Sequence, residues 1–186
     1  MQIINKVLEE GRALVIVANR WDLIEDKYKK KAVQWMDKQL ERGLGQAKGI
    51  PIAYVSAKTG TRVDKVMNEV MRVYEKWNTR VSTGLLNNWA QEFTKVQRMP
   101  SERGKRLKIK FVMQIRTRPP AFFVFCNRKA LVSANFEQFL RHCISKEFGF
   151  IGVPIRILLR DSRSQYGAKK MSAMSAAARK ILDRIR

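Results

Sequence analysis

The chain has 186 residues, 45% of them hydrophobic, so it can bury one core or two small ones, and neither an intrinsically disordered chain nor a helical membrane span fits its composition and run lengths. Its 38 Lys and Arg against 16 Asp and Glu give a formal net charge of +22, unevenly spread: residues 1–80 carry net +6 and residues 81–186 net +16. A field of that sign attracts polyanions, nucleic acid first and an anionic membrane surface second.

Ile3, Ile4, Val7 and Leu8 fit a helical period at the start. Leu14-Val15-Ile16-Val17 lacks polar alternation and reads as a buried parallel strand that ends at Asn19-Arg20-Trp21-Asp22. A loop at a strand's carboxyl end is where open α/β sheets bind ligands, and a carboxylate such as Asp22 can pair with the N1 and N2 hydrogens of guanine, a donor pair adenine lacks. The structural alternative for Asp22 is a helix N-cap, and Trp21 reads as packing.

Val33, Trp35, Met36 and Leu40 mark an amphipathic helix from Asp26 to Arg42, after which Gly43 to Gly49 loosens the chain. A second apolar run, Ile52-Ala53-Tyr54-Val55, delivers Ser56-Ala57-Lys58-Thr59-Gly60 to the same sheet edge, where a backbone N–H can donate to the base O6. Val63, Val66, Met67, Val70, Met71, Val73, Tyr74 and Trp77 keep helical spacing, as a core-facing helix that closes the domain would.

Asn78 to Thr83 reads as a linker, with Ser82 or Thr83 capping a helix that carries Leu85, Leu86, Trp89, Phe93 and Val96. Met99 to Arg106 reads as an irregular polar loop. Leu107, Ile109, Phe111, Met113 and Ile115 then alternate with Lys108, Lys110, Val112, Gln114 and Arg116, which predicts a strand with one core face and one outward basic face. Phe122 to Cys126 predicts a second strand, Phe136 to Phe148 a helix, and Val153 to Leu159 a third strand. The order helix, strand, strand, helix, strand is that of a small α+β domain. The tail from Asp161 is basic, its Ala-rich part from Met171 onward being either a helix formed on contact with RNA or protein, or a solvated segment.

Cys126 and Cys143 read as buried thiols of a reducing compartment, a disulfide between them being the weaker alternative. His142 beside Cys143 makes a poor nucleophile pair, since adjacent helical residues point about 100° apart. Gly149-Phe150-Ile151-Gly152 has the spacing of an RNA-gripping Gly-x-x-Gly loop, but its apolar middle reads as a core-anchored turn. The best nucleic-acid face combines Arg103, Lys105 and Arg106 with Lys108, Lys110, Arg116 and Arg118.

Asn19-Arg20-Trp21-Asp22 and Ser56-Ala57-Lys58-Thr59-Gly60 resemble the fourth and fifth motifs of translation-factor-class GTPases, with Arg20 where the family has Lys. Thr117-Arg118-Pro119-Pro120-Ala121-Phe122 and Val153-Pro154-Ile155-Arg156 resemble the C-terminal KH-like domain of the EngA (Der) family. The resemblance implies the C-terminal half of a P-loop GTPase fold over residues 1–80, a KH-like α+β domain over 81–160 and a basic tail over 161–186. It implies GTP or GDP as ligand, with Asn19, Arg20, Asp22, Ser56, Ala57 and Lys58 around guanine.

No G-x-x-x-x-G-K-[ST] loop is present to hold phosphates, so the chain is expected to begin inside a GTPase fold. Mg²⁺ is expected only with the missing half, and no hydrolysis from these residues alone. The implied partners are ribosomal RNA, a large-subunit precursor, and other assembly factors or ribosomal proteins, with no membrane. The alternatives are a non-enzymatic RNA-binding assembly protein and a polybasic protein docking on acidic surfaces. The implied compartment is the mitochondrion, ahead of chloroplast stroma or bacterial cytoplasm. Any targeting segment is expected upstream of Met1, Glu9-Glu10 arguing against one on this numbering.

Overall fold

The computed structural model describes residues 2–43 and 49–162, so the loosened stretch after Gly43 and most of the basic tail lie outside the described residues. Two compact units emerge. The first comprises Met1–Arg80, Arg116–Pro120 and Gln138–Arg156, and the second Val81–Ile115, Ala121–Glu137 and Ile157–Arg186.

In the first unit, α1 (Gln2–Glu9) leads to β1 (Ile16–Ala18), which pairs in parallel with β2 (Ile52–Tyr54) in the register Ile16 to Ile52 and Ala18 to Tyr54. Between them run a 3-10 turn, Trp21–Leu23, and α2 (Asp26–Gly43). This is the expected strand-helix-strand crossover. The ladder continues past the strand ends, since Val55 N–H donates to the Ala18 carbonyl and Trp21 N–H to the Val55 carbonyl, each at 3.0 Å. Both loops that follow the strands therefore leave the sheet side by side.

Two expectations for the helices fail in part. Trp35 is 60% exposed while Val33, Met36 and Leu40 are half-buried or close to it. Trp35 lies about 200° round the helix from Val33, so the stripe passes it by. On α3 (Asp64–Asn78) only Val73 is buried, while Val63 just before the helix and Met67, Val70, Met71 and Tyr74 are exposed. A helical stripe identifies an apolar face but not what covers it.

The turn after α5 (Ala134–Glu147) belongs to the same unit. Phe150 is fully buried, Val153 N–H closes back on its carbonyl at 3.0 Å, and Gly152 takes φ 84°. That is the core-anchored turn expected of Gly149 to Gly152. A Cβ on Gly152 would overlap the Gly49 carbonyl oxygen, so the lead into β2 and this turn touch backbone to backbone. Lys76 Nζ donates to the Ile151 carbonyl beside it.

In the second unit, α4 (Thr83–Val96) starts from Ser82, whose hydroxyl accepts the Leu85 N–H as an N-cap. The sheet has the order β5 (Ile109–Arg116), β6 (Ala121–Cys126), β7 (Arg156–Asp161). Its core holds Leu86, Phe93, Leu107, Val112, Phe122 and Val124.

The alternation expected along β5 breaks at its centre. Val112 and Gln114, expected to face outward, are 0% and 3% exposed. The reason is α4, whose Asn87 side chain donates to the Val112 carbonyl and accepts the Val112 N–H, at 3.0 and 2.9 Å. Asn87 thereby closes the edge of the strand order as a neighbouring strand would. Gln114 Oε1 accepts the Val81 N–H at 2.7 Å and holds the entry to α4.

The stretch expected to be irregular is a hairpin. Here β3 (Ser101–Glu102) and β4 (Lys105–Arg106) pair antiparallel around Arg103-Gly104, with φ of 47° and 72°. Positive φ at both central residues is the two-residue turn whose twist matches the strands.

Candidate functional site

Asn19 stands at the head of the first loop, one residue beyond β1. Its Oδ1 accepts the Arg20 N–H at 2.7 Å and the Ala57 N–H of the second loop at 3.0 Å. One side chain thus ties the two loops together. Arg20 takes the left-handed conformation, φ 62°, which turns the chain so that Trp21 is buried while Arg20 and Asp22 are exposed. The Trp21 ring packs on Tyr54 of β2, centroids 4.3 Å apart. Trp21 is therefore packing, as its apolar context suggests.

Asp22 lies inside the 3-10 turn rather than at its cap. The hydrogen-bonding influence of the neighbouring Ser56 hydroxyl, aided by the Lys58 and Arg20 charges and opposed by some desolvation, holds its carboxyl below the ordinary value of 3.8. Ser56 is 1% exposed. Its N–H donates to the Thr61 carbonyl at 3.1 Å, and its Oγ accepts the Thr59 N–H at 3.3 Å. The second loop thus closes on itself, and a buried hydroxyl supports an exposed carboxylate.

The structure brings together all six residues expected around a guanine: Asn19, Arg20, Asp22, Ser56, Ala57 and Lys58. It also decides which backbone donor is open. The N–H groups of Ser56, Ala57 and Thr59 are taken by Thr61, Asn19 and Ser56, while that of Lys58 meets no acceptor among the described residues. A side-chain carboxylate acceptor pair beside an N–H that meets no acceptor among the described residues is complementary to a guanine edge and not to an adenine edge. A separate cavity of about 340 Å³ lies behind Trp21, lined by Lys29, Lys30, Val33, Gln34 and Arg62.

The seven expected RNA-face residues do not form one face. Lys105, Arg106 and Lys108 converge on a cavity of about 450 Å³ with Gly104, Asn127 and Arg128, and Arg103 occupies the tip of the same hairpin. Lys110 is exposed further along β5. Arg116 ends β5 and Arg118 lies just beyond it, both exposed and both in the first unit. The buried Val112 and Gln114 interrupt the path between.

Arg128 and Asn127 escaped the sequence reading. They sit after an apolar strand and outside any charge run, and only the pairing of Asn127 with Lys108 brings them to the hairpin. Cys126 and Cys143 are free thiols, Cys126 buried and donating to the Arg160 carbonyl at 3.5 Å, and burial pushes both pKa values up. His142 is exposed on α5.

Comparison with known proteins now bears on these observations. Residues 80–160 match the family described as the KH-domain-like, C-terminal domain of EngA bacterial GTPase enzymes. The GTPase Der of Mesorhizobium japonicum is 39% identical over 169 residues, which cover 91% of this chain and 35% of that protein. Those of Parvibaculum lavamentivorans and Brucella suis are 35% and 37% identical over 170 and 169 residues, again 91% of this chain and 36% and 35% of theirs. The chain spans about a third of the length of these relatives. With a KH-like match over residues 80–160 and these relatives along most of its length, the chain is similar to the C-terminal region of the EngA/Der GTPases.

Proposed function

We propose that this chain supplies the guanine-recognising and RNA-contacting part of a GTP-binding protein that binds ribosomal RNA and assists assembly of the large ribosomal subunit. The observation that carries the nucleotide half is the Asn19 to Ala57 hydrogen bond, because it holds both loops at one sheet edge with Asp22 ionised and the Lys58 N–H open. In this reading Asp22 accepts from guanine N1 and N2, Lys58 N–H donates to O6, and the Arg20 stem lies over the base.

The phosphates and Mg²⁺ of GTP find no G-x-x-x-x-G-K-[ST] loop in the sequence. Residues present thus fit the base and not the triphosphate, and hydrolysis is proposed only of a protein that also contains that loop. The exposed apolar stripe of α3, with exposed Val17 on β1, is where the rest of a GTPase sheet would pack.

The RNA half rests on the net +16 of residues 81–186 and on the cations of the β3–β4 hairpin. Shape and backbone recognition of folded RNA follows better than base reading, since the Gly149 to Gly152 turn is anchored in the core through Phe150 and its exposed middle residue, Ile151, is apolar rather than basic. A precursor of the large subunit, with neighbouring assembly factors or ribosomal proteins, is the proposed partner.

Titrating the 186-residue chain with guanosine and adenosine under amide-resolved NMR tests the nucleotide half. Shifts at Asn19, Ala57 and Lys58 with guanosine alone are expected. Equal shifts with both nucleosides would refute guanine recognition.

A further inference from the structure

Within the basic half, one place is built rather than merely charged. We propose that the cavity between the β3–β4 hairpin and the end of β6 is a binding site for the phosphodiester backbone of RNA, read without regard to base. This rests on the RNA-binding reading above and gives it an address.

The cations around it are held in place. Leu107, between Arg106 and Lys108, is 1% exposed and its N–H donates to the Pro100 carbonyl at 2.8 Å, so the residues on either side are anchored in the core while their side chains stay outside. Asn127 completes the frame: its Nδ2 donates to the Arg106 carbonyl at 2.9 Å, and its Oδ1 accepts the Lys108 N–H at 2.8 Å. Arg103, a non-glycine residue at φ 47°, and Gly104 complete a tight turn beside them. Such positive φ in a larger residue persists only where surroundings enforce it.

The charge is also unopposed. Lys105, Arg106, Lys108 and Arg128 make no ion pair among the described residues, although Glu102 faces Lys105 in the hairpin register. Asp161, felt at neighbouring Cys126, does not line the cavity. Four unneutralised cations around a concave space of about 450 Å³ concentrate potential where a phosphate can sit.

The chemistry selects backbone over bases. Asn127 is the lining side chain able to read a base edge with both a donor and an acceptor, and both its groups are committed to the hairpin. No aromatic ring lines the cavity for stacking. The remaining polar side chains are Lys and Arg, and their contacts to phosphate oxygens position the strand without carrying sequence information.

The test uses the whole chain and two fluorescein-labelled 20-nucleotide RNAs of unrelated base sequence, with affinity measured from 50 to 300 mM salt. The triple variant R106Q/K108Q/R128Q should bind both at least tenfold more weakly at 100 mM, and its slope of log K against log salt should flatten by about 2 units. K31Q/K38Q/K65Q, which removes three exposed charges elsewhere, should stay within about twofold. Unchanged circular dichroism and melting temperature would show that neither triple is misfolded. Asn127→Ala should weaken binding several-fold at nearly unchanged slope, since it loosens the frame and keeps the charges.

Equal losses in the two triples overturn the site while RNA binding by the chain as a whole stands. No RNA binding by the parent chain overturns both. Loss of binding to phosphatidylserine vesicles, with RNA binding retained, overturns RNA as the occupant. Strong preference for one base sequence overturns backbone reading.

Discussion

Asn19 Oδ1 accepts the backbone N–H of Ala57 across 38 residues of chain, at 3.0 Å. The bond joins the two loops of the proposed guanine site and occupies one of the donors that a base could otherwise use. Asn19→Ala should therefore release the loops from one another. In a protein that includes the phosphate-binding half, we expect weaker GTP affinity with a modest change in fold stability, about 0.5–1.5 kcal/mol for each of the two exposed bonds that Asn19 accepts. Nucleotide titration alongside thermal melting measures both.

Asp22→Asn replaces an acceptor pair with a mixed donor and acceptor. In the same longer protein it should weaken GTP relative to xanthosine triphosphate, whose ring presents a carbonyl where guanine has an amino group. Competition between the two nucleotides reads the ratio, and an unchanged preference would remove Asp22 from the pocket.

The pH dependence of the proposed base recognition follows from the Ser56 hydroxyl beside Asp22, whose influence lowers the carboxyl pKa from 3.8. A lowered carboxyl value means the ionised form is favoured in the fold, so its contribution is complete above about pH 5 and fades as pH falls through the depressed value. Guanosine binding should be flat from pH 5 to 8. Ser56→Ala should move the onset of acid loss upward, which NMR titration of the Asp22 carboxyl can follow.

The 186 residues alone should turn over no GTP, because positioning and charge stabilisation of the phosphates supply nearly all of phosphoryl-transfer catalysis. Phosphate release at background level is expected. Mg²⁺-dependent turnover abolished by Asp22→Asn would contradict this.

Asn87 is the stabilising contact that composition gave least reason to expect. Asn87→Ala would leave the buried Val112 N–H and carbonyl without partners, at a cost of about 1–3 kcal/mol. Asn87→Asp, which keeps the acceptor and loses the donor, should fall between the two in chemical denaturation. Equal stability of all three would mean that water satisfies the strand edge.

The amino-acid sequence by itself determined the two parallel strands and the loops after them, since unbroken apolar runs and the residues following them are local signals. The Ser82 cap, the Trp21 packing role and the Phe150 turn were legible for the same reason. The tertiary structure decided what covers each face. Alternation along β5 marks Val112 and Gln114 as outward, yet α4 supplies Asn87 to one and the backbone before it occupies the other. Apolar spacing on α3 marks a core face, yet Met67, Met71 and Tyr74 stand in solvent. The hairpin at Arg103-Gly104 is a local pairing that no apolar alternation marks, and the joining of Arg128 to Lys105, Arg106 and Lys108 depends on pairing between residues about 20 apart. Periodicity records which side of an element is apolar, but contact between elements far apart in sequence is settled only when the chain closes and its buried polar groups find partners.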